Sequence, residues 1–185
     1  MLHWQVFRSV PREERLQRRQ SDFSRLMSIL EGLDESEWVG FMVCHPYIGP
    51  VPPFCYPAFQ LTDYGVHGWD IEEALHRSHG LSADVADFLV PFMFILMQGT
   101  DDDKRAPDLP QPVGLRVSGC NAGTWKVTVS NGSFQFEPSA VEGLPTVFEF
   151  DPASFVLTTY DRIRAGTAYG DVELAGRLPG VFFAI

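Results

Sequence analysis

The run DYGVHGWD, residues 63 to 70, sets a carboxylate and an imidazole four positions apart. With 3.6 residues per helical turn, positions i and i+4 lie about 40° apart around the axis, so Asp63, His67, Asp70 and Ala74 share a narrow face. A carboxylate and an imidazole one turn apart can hold a divalent metal from the same side, with Asp70 orienting a ligand from behind. The same spacing also suits an ordinary hydrogen-bonded side-chain couple. A metal centre needs a third protein ligand, and no HExxH is present. The other histidines are His3, His45, His76 and His79. The last two fall near a solvated helix end, where an imidazolium complements the helix dipole.

The helix that carries this motif is expected from about Pro57 to His76, with Gly80 ending the region. Residues 11 to 32 form an earlier helix: Leu16, Phe23, Leu26, Met27 and Leu30 make one stripe at the helical period, Pro11 suits its first turn and Gly32 its stop. DESEW, residues 34 to 38, reads as a turn. FMVCHPYIGPVPPFCYP (41–57) is too rich in proline for a helix and predicts an irregular loop or short hairpin. A third helix is expected from near Ser82 to Gln98, kinked at Pro91.

GTDDDKRAPDLPQP (99–112) is charged and rich in proline, and is read as a linker. Beyond it the hydrophobic period changes to two. VGLRVSG, TWKVTVS, SFQFE and TVFEFD alternate, and Asn131-Gly132 is a strong hairpin signal, so an antiparallel meander with one buried face is expected. A helix fits PASFVLTTYDRIRAG (152–166), GDVELAG (170–176) reads as a last strand, and RLPGVFFAI (177–185) as a terminal segment packed on the sheet. The fold class is α+β: a helical domain at 1–98, the linker at 99–112, and a small α+β domain at 113–185.

Composition narrows the function. The 185 residues carry a net charge of −10, which disfavours nonspecific binding to nucleic acid, because phosphate contacts need surplus Lys and Arg. The early Arg cluster is interrupted by Glu13 and Glu14 and reads as a solvated helix face. The three cysteines, Cys44, Cys55 and Cys120, are odd in number and widely spaced, which argues for reduced thiols in a cytoplasmic protein. No signal peptide is visible. The longest apolar run, FLVPFMFILM, falls well short of the roughly twenty residues that span a bilayer and reads as a buried helix.

DYGVHGWDIEEAL, after its apolar, proline-rich loop, resembles the mycothiol-dependent maleylpyruvate isomerase family, whose helical part is a DinB-like four-helix bundle. TWKVTVSNGSFQF and FEFDPASFVLTTYDRIRAGTAYGDVELAG resemble the sterol-carrier-protein-like domain that often follows that bundle. The resemblance implies a divalent metal, usually zinc, held by two His and one carboxylate, with Asp63 and His67 matching the carboxylate and one His. Many members have Glu where this chain has Asp. The other His normally ends the bundle's second helix, and LHWQVF resembles the stretch just after it, so a partial bundle lacking two helices is expected. Three outcomes stay open: a homodimer in which each chain covers the other's exposed stripe, a lost metal and activity, or a start codon set too far downstream. His3, Cys44, His45 and Cys55 are candidate substitutes for the missing ligand. The alternative for both Cys is that of small buried hydrophobes.

For function, the resemblance implies that the metal stabilises the thiolate of mycothiol as nucleophile. The thiolate adds to the alkene of a small organic acid, rotation follows, and elimination gives the trans isomer; relatives use the same parts for transfer reactions. It also implies a cation that holds the substrate's carboxylates. Arg162, with Arg164 beside it, is the match, against a solvated helix end as the alternative. A second class of reading is a sterol-carrier-like module that encloses an apolar ligand, for which Trp125, Phe134, Phe136, Phe148, Phe150 and Phe155 are the candidate lining; the same rings suit a plain core. A third is a non-catalytic interaction protein.

Overall fold

The computed structural model describes residues 9–46, 49–99 and 109–177. By compactness the chain divides into two units, Met1–Phe54 and Cys55–Ile185. His3, residues 100–108 of the expected linker and residues 178–185 of the expected terminal segment lie outside the described residues.

In the first unit, helix α1 spans Arg12–Glu31 and buries Leu30, while Leu16 and Phe23 of the expected stripe are exposed. Residues read as a plain turn instead start a short helix, α2 (Glu37–Gly40). The reason is a capping box: the Asp34 carboxylate accepts from Glu37 N at 2.9 Å, and Glu37 Oε2 accepts from Asp34 N at 2.9 Å. The proline-rich stretch forms a two-stranded hairpin, β1 (Val43–His45) with β2 (Gly49–Val51).

The second unit opens with the motif helix α3 (Cys55–Ala74), which buries Cys55, Ala58, Thr62 and Val66 on one stripe. Helix α4 (Ala83–Gly99) runs on through Pro91 and buries eight of its side chains. Edge-to-face rings of Phe59 and Phe92, 5.0 Å apart, join the two. Next come β3 (Val113–Val117), β4 (Gly123–Ser130), β5 (Ser133–Pro138) and β6 (Thr146–Phe150), helix α5 (Pro152–Thr159), β7 (Thr167–Gly170) and helix α6 (Val172–Arg177). Helices on one side of a largely antiparallel sheet make the unit α+β.

The five strands lie in the order β5-β4-β3-β6-β7. β4 and β5 meet at the expected turn, with Asn131 and Gly132 both at positive φ. The expected meander is broken once, because β6 pairs with β3 in parallel. The connection between β5 and β6 crosses the outer face of the sheet, where Gly114 leaves room for the buried Val141: a Cβ on Gly114 would lie 2.9 Å from Val141 Cβ.

Strand alternation and register put Val113, Leu115, Val117, Trp125, Val127, Val129, Phe134, Phe136, Phe148 and Phe150 on the inner face. Against it Phe94 of α4 meets Trp125 and Phe136, each at 4.7 Å, and Phe155 of α5 at 5.5 Å. α4 also packs on α3, so the motif helix and the sheet belong to one unit.

Two expectations after the sheet are corrected. The helix expected over 152–166 stops at Thr159, and the segment expected as a last strand is mostly helix α6. Asp171 starts that helix by accepting from Glu173 N and Leu174 N at 2.9 and 3.0 Å. No helix among the described residues is long and apolar enough to cross a membrane.

Candidate functional site

Asp63 and His67 both lie on the exposed side of α3, but the imidazole turns to a different partner. His67 Nδ1 is 3.3 Å from Asp70 Oδ2, one turn onward. Asp70 in turn is gripped by Arg162 across 92 residues of chain: Nε donates to Oδ1 at 2.8 Å and a terminal nitrogen donates to Oδ2 at 3.1 Å. The other terminal nitrogen donates to the Tyr160 carbonyl at 2.8 Å. The Arg162 guanidinium holds the Asp70 carboxyl below its usual range, with a smaller contribution from His67 and against an opposing push from burial.

The backbone aims Arg162. Arg162 N donates to Leu157 O at 2.9 Å and Asp161 N to Thr158 O at 3.0 Å, with Asp161 at φ +53°. These two bonds are the Schellman ending, here with Asp rather than Gly in the left-handed position. It stops α5 and turns the next side chain back across the end of the helix. Beside it the Tyr160 ring is buried, and its hydroxyl pKa is pushed far up by burial and by the Asp63 carboxylate, against the pull of Arg162 and a hydrogen bond to Thr62.

Asp63, His67 and Asp70 do not complete a metal's ligand set among the described residues. Among the described residues, no three His, Cys, Asp or Glu side chains gather within reach of one ion. The carboxylate nearest His67 has both oxygens engaged by a guanidinium, which opposes a second cation there. Of the candidate substitutes, Cys55 is buried at the start of α3 and burial pushes its thiol pKa up, away from the thiolate a metal needs. Cys44 is exposed on β1 and His45 sits beside it on the same strand, both in the first unit.

Nor does Arg162, as placed, present an open clamp for a substrate's carboxylates: its donors serve the protein's own Asp70 and Tyr160. Arg164 is exposed. Sequence reasoning singled out Asp70 and Arg162 separately and missed that they meet each other.

The second candidate is the inner face of the sheet. Val113, Gly114, Leu115, Val127, Phe134, Phe136 and Phe148 line a wholly apolar hollow of about 10 Å³, the threshold for a single water. Of the six aromatic candidates, Phe134, Phe136 and Phe148 line it. Trp125 and Phe155 close around Phe94 beside it, and Phe150 meets Phe155 edge-to-face at 5.8 Å. Phe94 was missed because the run 88–97 is apolar throughout in the sequence, so no pattern sets one ring apart.

Two larger grooves, of about 370 and 400 Å³, open on either side of Arg116 and Glu149. These two side chains, opposite each other in register, form an ion pair between β3 and β6, with Glu142 3.5 Å from the guanidinium. Their charges compensate one another within the groove walls.

No family model matches the chain, and no curated protein matches it. Among solved structures, the chain is similar to the sterol carrier protein domain 2 of Helicoverpa armigera, at 17% identity and a TM-score of 0.39, covering 49% of this chain and 81% of that one. It is similar to sterol carrier protein 2 like 2 from Aedes aegypti at 12% identity and a TM-score of 0.39, covering 50% and 94%. It is also similar to a stereoselective inverting sec-alkylsulfatase from a Pseudomonas species at 14% identity and a TM-score of 0.40, covering 52% of this chain and 17% of that one. At these scores no likeness carries a function over to this chain.

Proposed function

We propose that the unit Cys55–Ile185 is a binding module for an apolar small molecule of the fatty-acid or sterol class, taken up between the inner face of the sheet and the helices that cover it. The observation that carries this reading is the hollow lined by Val113, Leu115, Val127, Phe134, Phe136 and Phe148 without a polar side chain. Such a surface offers a ligand burial and shape but no orienting charge, which suits a carrier better than a catalyst. Nothing in the described residues supports thiol-dependent isomerisation, so no step is assigned to Asp63, His67 or Arg162.

The test is titration of the whole chain with a fluorescent long-chain fatty acid and a fluorescent sterol. Saturable binding of one of them, with energy transfer from tryptophan that drops in Trp125→Phe, is the expected result. Absence of saturable binding for both, together with lipid-free organic extracts of the purified protein, would remove the proposal.

A further inference from the structure

Resting on that reading, we propose that Phe94 is the gate of the hollow: its ring stands where an apolar ligand must go, and the half of α4 beyond Pro91 carries it aside. The hollow of about 10 Å³ is far below the roughly 300 Å³ or more that a drug-sized ligand occupies. A wall must therefore move, and the walls differ in how firmly they are held.

The sheet face is tied strand to strand by its ladders. Helix α5 is closed at both ends, by the Asp151 carboxylate accepting from Ser154 N at 3.0 Å and by the two bonds of its Schellman ending. Helix α4 is different. Pro91 has no N–H, so the Asp87 carbonyl lacks the donor that its i+4 residue would supply. Asn121, in the loop between β3 and β4, supplies one instead: its side-chain amide donates to the Asp87 carbonyl at 2.9 Å. Its backbone N–H and side-chain amide also reach the Asp87 carboxylate at 3.2 Å.

The first half of α4 is thus latched to the sheet's own loop, and the missing helical bond falls between that latch and Phe94. Phe94 touches Phe136, which lines the hollow, and Trp125 and Phe155 on its other sides. Bending at Pro91 withdraws this ring and merges its space with the hollow, while the Asp87 latch stays closed.

The experiment is stopped-flow association of a fluorescent long-chain fatty acid with the whole chain and three variants. Phe94→Ala and the milder Phe94→Leu are expected to speed association, the former by about tenfold. Pro91→Ala restores the N–H at an exposed position where no packing is lost, stiffens the helix, and is expected to slow association by about threefold. Thermal melts confirm which variants are folded; Phe94→Leu keeps most of the apolar bulk should Phe94→Ala not fold. Binding by the wild type with one unchanged rate across the folded variants overturns the gate and leaves the carrier reading standing. No binding by any of the proteins overturns both.

Discussion

Helices α3 and α5 end in the same way and yet lead to opposite results. At the end of α3, His76 N donates to Glu73 O and Arg77 N to Glu72 O, with His76 at φ +53°. At the end of α5, Asp161 and Arg162 repeat the two bonds and the same φ. Both endings place a non-glycine residue in the left-handed conformation and an arginine directly after it. Among the described residues the Arg77 side chain then reaches only Glu72 of its own helix, at 3.5 Å and 64% exposed. Arg162, 19% exposed, crosses to another helix and takes both oxygens of Asp70. A cap determines where a side chain starts; the surroundings determine whether it becomes part of the structure.

The largest expected effect lies on the Arg162 side. Arg162→Ala leaves the Asp70 carboxylate half-buried without its guanidinium and removes a donor from the Tyr160 carbonyl. The expected loss is about 1.5–3 kcal/mol of unfolding free energy, at the low end because both side chains keep some contact with water. Chemical denaturation of Arg162→Ala, Asp70→Ala and the double variant gives the coupling between them. A coupling near zero would mean that the pair is geometry without energy, and the contrast with Arg77 would vanish.

The pair also sets a pH dependence. Arg162 lowers the folded-state pKa of Asp70, so between that value and the unfolded one of about 3.9 the unfolded chain binds more protons. The contribution is complete above the unfolded pKa and is lost as pH falls through the folded one. Wild type and Asp70→Asn should therefore differ in stability near neutral pH and converge in acid. A difference of constant size from pH 7 to pH 2 would sink this account.

The two endings also show why some of the molecule was legible in its sequence and some was not. Period-two runs predicted β3 to β6, and Asn131-Gly132 predicted their hairpin, because those signals are local. The stop of α5 was missed, since Asp161 is not the glycine that usually marks such a cap, and the helix was carried on to Gly166. Asp34 and Asp171 were overlooked as caps for the same reason: a helix start depends on one short carboxylate, weak beside an apolar pattern. The meeting of Asp70 with Arg162 has no local signal at all. Only the stacking of α3, α4 and α5 brings them together, and that is why a reading based on helical spacing paired Asp63 with His67 when the imidazole faces Asp70.

Glycine at the two left-handed positions isolates the caps from the arginines. A non-glycine residue there costs roughly 1–2 kcal/mol of backbone strain, offset in part by the roughly 0.5–1 kcal/mol of extra chain entropy that glycine loses on folding. His76→Gly and Asp161→Gly should each therefore stabilise the chain, by about 0.5 kcal/mol. Thermal melts should show similar gains at both sites, because the backbone is the same. A gain at His76 with a loss at Asp161 would show that the Asp161 side chain itself helps to seat Arg162.

Arg77→Ala is the smallest expected change. The Arg77–Glu72 contact is long and solvated, and exposed pairs of this kind contribute about 0–1 kcal/mol, screened further by salt. Nearby His79 is held by the Arg77 main-chain carbonyl, by Glu73 Oε2 at 3.3 Å and by the Trp69 ring at 5.1 Å, none of which involves the Arg77 side chain. The unfolding free energy of Arg77→Ala should stay within about 0.5 kcal/mol of wild type at any ionic strength. A loss as large as that of Arg162→Ala would mean that Arg77 bears a structural contact of its own, and context would no longer separate two endings built alike.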